Sequence, residues 1–179
     1  NGKDQKGLCL VSKYTAQGNS HGHYDKLSFM LNFKGEEVIQ DYGAARFVNI
    51  SQKSGGSQSG VYLDENFSFA KLTIAHNTLS VDEEVHFGRD YRVASKNHAE
   101  KYFSELSNDD HQIISAKDHK AYPGVGMHRT LVMLQDHRLY QPLIIDLFRA
   151  ESLSSHQYDL PYHYFGQLMS TNFEKKKEK

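Results

Sequence analysis

The sequence predicts an all-β fold, an antiparallel β-sandwich of stacked sheets. Short apolar runs with partial alternation of apolar and polar residues recur along the chain at intervals of roughly 8–15 residues. Turn-forming residues separate these runs, and no segment shows the sustained apolar period of a long amphipathic helix. The 179 residues suffice for one domain with a sizeable core, or for one domain of a larger protein.

The first predicted strands are connected through a tight hairpin. Gly7–Thr15 and Lys26–Phe33 are short apolar runs with partial alternation. The turn Phe33–Glu37 contains Gly35, where a positive φ is expected. Val38–Tyr42 then returns antiparallel to the preceding strand.

The rest of the chain is predicted to consist of strands and loops. Asp64–Lys71 can form one helical turn, and Ser54–Gly60 is a flexible loop, either a lid or a plain connection. The tail Glu174–Lys179 is expected to be a solvated, frayed end. Six further strands are predicted: Leu72–Val81, Ala99–Leu106, Gln112–Ala116, His128–Leu134, Leu143–Ala150 and Gln157–Tyr164.

Composition excludes several classes of function. The net charge of -1 gives no reason to expect nucleic acid or an anionic membrane as partner. No apolar run approaches the roughly 18 residues that a membrane span requires. Cys9 is the only cysteine, so an intrachain disulfide is excluded. The chain begins at Asn1 without an initiator methionine or a signal peptide, and we interpret it as part of a longer protein.

Two histidines and a carboxylate suggest a metal site. His21 and His23 flank a glycine, and on an extended strand both side chains point to one face. Asp41 lies near the end of the predicted partner strand, and His76 interrupts an apolar segment. Such a set suits a divalent metal such as zinc. The alternative is that His76 bonds a core carboxylate such as Asp41 without any metal, and spacing alone does not choose between the two.

Two further residues have both a binding and a structural interpretation. Arg46 follows small residues that leave space for a ligand, and its guanidinium suits a carboxylate, but it also suits a structural salt bridge. Tyr62 can hydrogen-bond a sugar or simply pack as an aromatic side chain.

Three motifs in order resemble the heparinase II/III-like domain of polysaccharide lyases. They are Ser20–Phe29, Asp41–Phe47 and Phe69–Leu79, and they are most similar to the oligoalginate lyases of polysaccharide lyase family 17. The resemblance covers about residues 7–85; beyond these it rests on the strand pattern. It implies that residues 1–179 form the C-terminal β-sandwich domain, and that an N-terminal α/α-toroid domain lies outside this chain. The substrate would then lie in the cleft between the two domains.

The resemblance also implies roles for individual residues. His21 matches an active-site histidine near the substrate carboxylate, and Arg46 and Tyr62 match positions that contact the uronate. The stretch Ser51–Gly60 is a few residues longer than the family pattern. The family's catalytic tyrosine and its companions belong to the toroid domain and have no counterpart here. Three residues match the zinc ligands: His23, Asp41 and His76.

The function that the resemblance implies is β-elimination at 4-linked uronates, with alginate oligosaccharides as the favoured substrate. A base removes the proton on C5, and the glycosidic oxygen on C4 leaves with a proton from an acid. Zinc is expected to be a structural pin and not the Lewis acid of the reaction. The isolated chain is expected to be inactive, and the full-length parent to be a periplasmic bacterial lyase.

Two alternatives from other classes fit the same residues. One is a zinc-stabilised β-sandwich that binds carbohydrate without catalysis. The other is a cupin-like metalloenzyme, in which a small barrel carries all the ligands around a water-accessible metal. The segment Asp41–Arg46 is not needed in a cupin.

Overall fold

The structure, a computed structural model, describes residues 7–16, 21–45 and 62–173. Tyr91–Ala94 is a single α-helical turn, and Asn66–Ala70 and Thr73–Ala75 are π- and 3₁₀-helical turns. A further turn, His86–Arg89, includes left-handed residues. The strands within these ranges are β1 Leu8–Ser12, β2 Phe29–Phe33, β3 Glu36–Ile39, β4 Ser80–Val81, β5 Glu100–Glu105, β6 His111–Tyr122, β7 Val125–Leu134, β8 Leu143–Ser152 and β9 Tyr158–Asp159.

Three antiparallel sheets organise these strands. The first sheet has the order β1-β2-β3, the second pairs β4 with β9, and the third has the order β5-β6-β7-β8. In the first sheet Leu10 lies opposite Leu31, and in the third Arg129 lies opposite Phe148. Gly35, with φ of 84°, closes the turn between β2 and β3.

The three-stranded sheet packs on one face of the four-stranded sheet. Phe29 and Leu31 of β2 form a buried cluster with Leu131 of β7. Partly buried side chains from β1, β3, β6 and β8 surround this cluster. The opposite face of β8 is exposed, because its residues alternate between exposed and half-buried positions. Two packed antiparallel layers are the architecture of a β-sandwich.

A second core lies under the irregular segments that follow β1 and precede β5. Tyr24, Leu27 and Leu79 pack there against Phe87 and Met127. The backbone of this region is mostly turns and loops, so its polar groups are bonded by side chains instead of by a ladder. This region carries the candidate site.

The all-β sandwich is confirmed, with two errors among the strands. The predicted hairpin and the predicted strands between residues 99 and 150 are present, and Asn66–Ala70 lies in the predicted helical turn. Leu72–Val81 and Gln157–Tyr164 are wrong as continuous strands, because only Ser80–Val81 and Tyr158–Asp159, which pair with each other, lie in a sheet. Within the described ranges the sheets are open and do not close into a barrel. Among the described residues, no helix is long and apolar enough to cross a membrane.

Candidate metal centre and active site

His23, Asp41 and His76 come together as one compact cluster. Each offers one ligand atom, and these atoms lie within 4.8 Å of one another. The imidazole rings of His23 and His76 have centroids 5.1 Å apart. His76 is fully buried, His23 is 7% exposed, and the side chain of Asp41 is 15% exposed. The set contains two nitrogens and one carboxylate, which are donors that zinc prefers.

Unpaired nitrogen atoms provide the test of whether a metal fits. Nδ1 of His23 and Nε2 of His76 are buried and have no hydrogen-bond partner among the described residues. A buried polar atom without a partner costs about 1–3 kcal/mol. A cation bound to these two nitrogens would compensate for their missing hydrogen bonds. The residues present fit a zinc ion held by three protein ligands.

The charge state of Asp41 is fixed by its neighbours. Burial alone would raise its pKa, but the hydrogen bond and charge of His76 and the bond from Gly43 hold the pKa of Asp41 well below its usual range. Oδ2 of the ionised Asp41 accepts a hydrogen bond from Nδ1 of His76 at 3.0 Å. Gly43, at φ of 70°, folds the chain back so that its N–H donates to Oδ1 of Asp41 at 2.9 Å.

His23 is held in the neutral form that metal ligation needs. Burial, followed by the nearby His76, lowers the pKa of His23 to about 4. A neutral imidazole keeps a lone pair for a cation, whereas a protonated one has none. The electrostatics of the cluster therefore suit a cation at neutral pH.

Two loops carry the histidines of the site. Residues 21–28, the first ligand loop, precede β2, and residues 73–79, the second ligand loop, precede β4. His21 and His23 thus lie in a loop and not on a strand, and the predicted shared face is wrong. His23 is buried against His76, whereas His21 is exposed and bonds Tyr62.

Asn77 ties the second ligand loop to the strands that precede Asp41. Its side-chain amide donates to the carbonyl of Phe29 at 3.0 Å and to that of Gln40 at 2.7 Å. Its side-chain oxygen accepts the N–H of His163 at 2.7 Å. Asn77 follows His76 directly and Gln40 precedes Asp41, so one buried amide fixes the relative position of two ligands.

Hydroxyl groups and a buried histidine join the two ligand loops. Thr73 donates to the carbonyl of Tyr24 at 2.8 Å, and Thr78 donates to that of Lys26 at 2.5 Å. His86 is fully buried and bonds both loops. No motif in the sequence assigns these residues a role. The only available signal was their polarity inside apolar segments.

His21 and Tyr62 form the second part of the site. Nδ1 of His21 lies 2.5 Å from the hydroxyl oxygen of Tyr62. The ammonium of Lys71 lies 5.2 Å from the centroid of the Tyr62 ring, and Phe67 meets that ring edge-on at 6.0 Å. The phenol is thus fixed in a hydrogen bond with the histidine two positions before a metal-ligand candidate.

Other sequence-based predictions fall on residues 46–61 or 174–179. Arg46, the loop Ser54–Gly60 and the frayed tail all lie outside the described residues. The structure therefore brings together His23, Asp41 and His76, places Tyr62 against His21, and does not test Arg46.

Comparisons with known proteins identify relatives along nearly the whole chain. The sequence profile of the family described as "Heparinase II/III-like, C-terminal" matches residues 4–178. An alginate lyase of Stenotrophomonas maltophilia is 42% identical over 170 residues, which is 95% of this chain and 22% of that protein. An exo-oligoalginate lyase of Saccharophagus degradans is 39% identical over 178 residues, 99% of this chain and 24% of that protein.

Solved structures share the fold at low sequence identity. A heparinase III gene product with methylated lysines matches with a TM-score of 0.66 and 14% identity, over 96% of this chain and 23% of that one. A mutant heparan sulfate lyase of Pedobacter heparinus matches with a TM-score of 0.60 and 18% identity, over 87% of this chain and 20% of that one. The chain spans about a quarter of the length of the curated relatives that it matches.

Proposed function

Because the chain belongs to the heparinase II/III-like C-terminal family, we propose that it is the metal-bearing β-sandwich domain of a polysaccharide lyase. The full-length parent would cleave 4-linked uronates, with alginate oligosaccharides as substrate. Support for this substrate comes from two relatives, each about 40% identical, whose names say that they act on alginate or oligoalginate. An α/α-toroid domain outside this chain would form the other wall of the cleft.

The observation that carries the proposal is the juxtaposition of two sites in one loop. His23 belongs to the His-Asp-His cluster, and His21, two residues earlier, bonds the hydroxyl of Tyr62. Zinc, when bound by His23, Asp41 and His76, would fix the loop that carries His21. Its role would be structural, because the bound ion would hold the loop that carries His21 in place.

His21 is suited to stabilise the charge that develops on the substrate. Removal of the C5 proton places negative charge on the adjacent carboxylate, and a positioned donor lowers the energy of that state. Arg46 would contact the same uronate, as the family resemblance implies. The two groups would make the C5 proton acidic enough for a protein base to remove.

The hydrogen bond to His21 also suits Tyr62 to move a proton. A phenol hydrogen-bonded to an imidazole at 2.5 Å has a partner to which its proton can pass. Tyr62 would then take the C5 proton, or give a proton to the glycosidic oxygen on C4, in addition to contacting the substrate. In the balanced reaction the C5–H and C4–O bonds break, a C4–C5 double bond forms, and the leaving oxygen is protonated.

The test uses the full-length parent and 4-linked uronate oligosaccharides, with the ultraviolet absorbance of the unsaturated product as the readout. Tyr62→Phe and His21→Ala are each expected to lower kcat by about 10²-fold or more, because both groups act as charge moves in the transition state. Tyr140→Phe is the control, because Tyr140 is 97% exposed and its variant should keep the wild-type kcat.

Three outcomes would count against the proposal. Failure of the wild-type parent to release unsaturated product would remove the lyase assignment, and saturable oligosaccharide binding without turnover would favour the carbohydrate-binding alternative. A rise in KM alone on Tyr62→Phe would restrict that residue to substrate binding.

Location in the bacterial periplasm stays a prediction, and fractionation of the native host would test it.

A further inference from the structure

Arg129 is a buried charge in a position where a strand normally carries an apolar residue. It is the only arginine that is buried in the part of the chain that the structure describes, with 2% exposure. On β7 it occupies the same face as Val125, Met127 and Leu131, all of which are buried. A guanidinium in this place must find several acceptors, because its desolvation is costly.

The acceptors of Arg129 come from both ligand loops and from the neighbouring strand. Nη1 donates to the carbonyl of Leu27, in the first ligand loop, at 2.8 Å. The same nitrogen donates to the carbonyl of Asn77, in the second ligand loop. Nε and Nη2 form a bidentate pair with the carboxylate of Asp146 on β8, at 2.9 and 2.5 Å.

Two aromatic rings and one hydroxyl group fix the orientation of this pair. The guanidinium carbon of Arg129 lies 4.5 Å from the centroid of Phe29 and 5.0 Å from that of Phe148. The hydroxyl of Tyr162 donates to Oδ2 of Asp146. The guanidinium therefore has little freedom to move, and the two loop carbonyls are held against the four-stranded sheet.

We propose that the buried Arg129–Asp146 pair positions the metal centre. The guanidinium joins the two ligand loops at Leu27 and Asn77, and so sets the spacing of the metal ligands His23 and His76. This inference rests on the proposed function, because it assumes that the cluster holds a metal. It adds a positioning residue from β7, far along the chain from every ligand.

A buried ion pair suits this task better than it suits overall stability. Replacing such a pair by apolar side chains of similar volume often leaves the free energy of unfolding unchanged or raises it. The same replacement removes the directional hydrogen bonds to the two ligand loops. Lysine cannot substitute, because a single ammonium lacks the planar set of donors that reaches two carbonyls and a carboxylate together.

The test compares zinc binding by the chain and by the double variant Arg129→Met/Asp146→Leu, which leaves no unpaired charge. The zinc dissociation constant is measured by competition with a chromophoric chelator, and the visible spectrum of the Co²⁺ form is recorded at saturation. The double variant is expected to bind zinc about 10–100-fold more weakly, the usual effect of losing groups that orient metal ligands. Its Co²⁺ spectrum should also change, and its metal-free melting temperature should stay near that of the wild type.

Arg149→Met is the matched control, because Arg149 lies on β8 with its side chain 72% exposed and bonds Glu151. It should keep the zinc affinity and the Co²⁺ spectrum of the wild type. If the double variant does not fold, Arg129→Lys replaces it, and the same loss of zinc affinity is expected there.

The outcomes separate this inference from the function on which it rests. Zinc affinity within about twofold of wild type and an unchanged Co²⁺ spectrum, in the double variant or in Arg129→Lys, would overturn the positioning role and leave the metal centre intact. Failure of the wild-type chain to bind zinc would overturn the metal centre, and the positioning role with it.

Discussion

Replacing His86 by glutamine is expected to make the free energy of unfolding fall less steeply as the pH decreases. His86 is fully buried beneath the site. Its Nδ1 accepts the backbone N–H of Lys26 at 3.2 Å, and its Nε2 donates to the carbonyl of Leu79 at 3.1 Å. A proton added to Nδ1 would point at the N–H of Lys26, so the folded protein requires the neutral ring.

The size of the effect follows from the pKa of His86. Burial lowers this pKa to about 3, against the opposing hydrogen bond to Leu79, whereas histidine in an unfolded chain has a pKa of about 6.5. Between these values the unfolded chain binds one more proton at this site than the folded protein does. The contribution is therefore complete above pH 6.5, and each pH unit of acidification below it removes about 1.4 kcal/mol from the free energy of unfolding.

Urea unfolding between about pH 4.5 and 7 measures this slope, with a chelator present so that no metal contributes. His86→Gln keeps an acceptor and a donor for the same two partners but cannot titrate. All other groups titrate in both proteins, so the difference in slope isolates His86. We expect the wild type to lose about 1.4 kcal/mol more per pH unit than the variant below pH 6.

The control is His137→Gln, because the side chain of His137 is 92% exposed. This variant should follow the wild-type curve. Parallel curves for wild type and His86→Gln would refute the reasoning, since they would mean that His86 does not stay neutral in the folded protein.

Three further predictions concern the site itself. His23→Ala is expected to abolish the binding of about one zinc ion per chain and to lower the melting temperature of the zinc-loaded protein; full metal content by elemental analysis would contradict the ligand set. Asn77→Ala should lower the free energy of unfolding by about 3 kcal/mol in urea, because it removes three buried hydrogen bonds, and a loss below about 1 kcal/mol would contradict this role. In the full-length enzyme, Arg46→Ala should raise KM more than it lowers kcat, because a carboxylate contact serves ground and transition states alike; steady-state kinetics showing the reverse would reject it.

The sheets were predictable because their strands follow simple rules. β7 alternates buried and half-buried positions, β8 alternates exposed and half-buried positions, and β2 and β3 meet at a glycine with positive φ. The His-Asp-His cluster was also predictable, because the three motifs that resemble the family contain its members. The structure brings these three residues together.

The second ligand loop was not predictable from its apolar pattern. Residues 72–81 look like a strand because apolar residues recur there, but the side chains of Thr73, Asn77 and Thr78 bond the backbone of distant residues. Those side-chain bonds replace the bonds of a sheet ladder, so the chain turns at Thr73–Ala75 instead of continuing as a strand. Such long-range partners have no local sequence signal.

Arg129 and Asp146 show that a signal was nevertheless present farther along the chain. Both are charged residues in the inward-facing phase of adjacent strands, buried on β7 and half-buried on β8, where an isolated charge would be expelled from the core. Two opposite charges in that phase on neighbouring strands imply a buried pair, and a guanidinium in such a pair has donors left over for backbone carbonyls. Irregular loops are what supply unpaired carbonyls, because strands use theirs in the ladder. A buried arginine under two loops that carry candidate metal ligands is therefore better explained by the loops that it holds than by the sheet on which it lies.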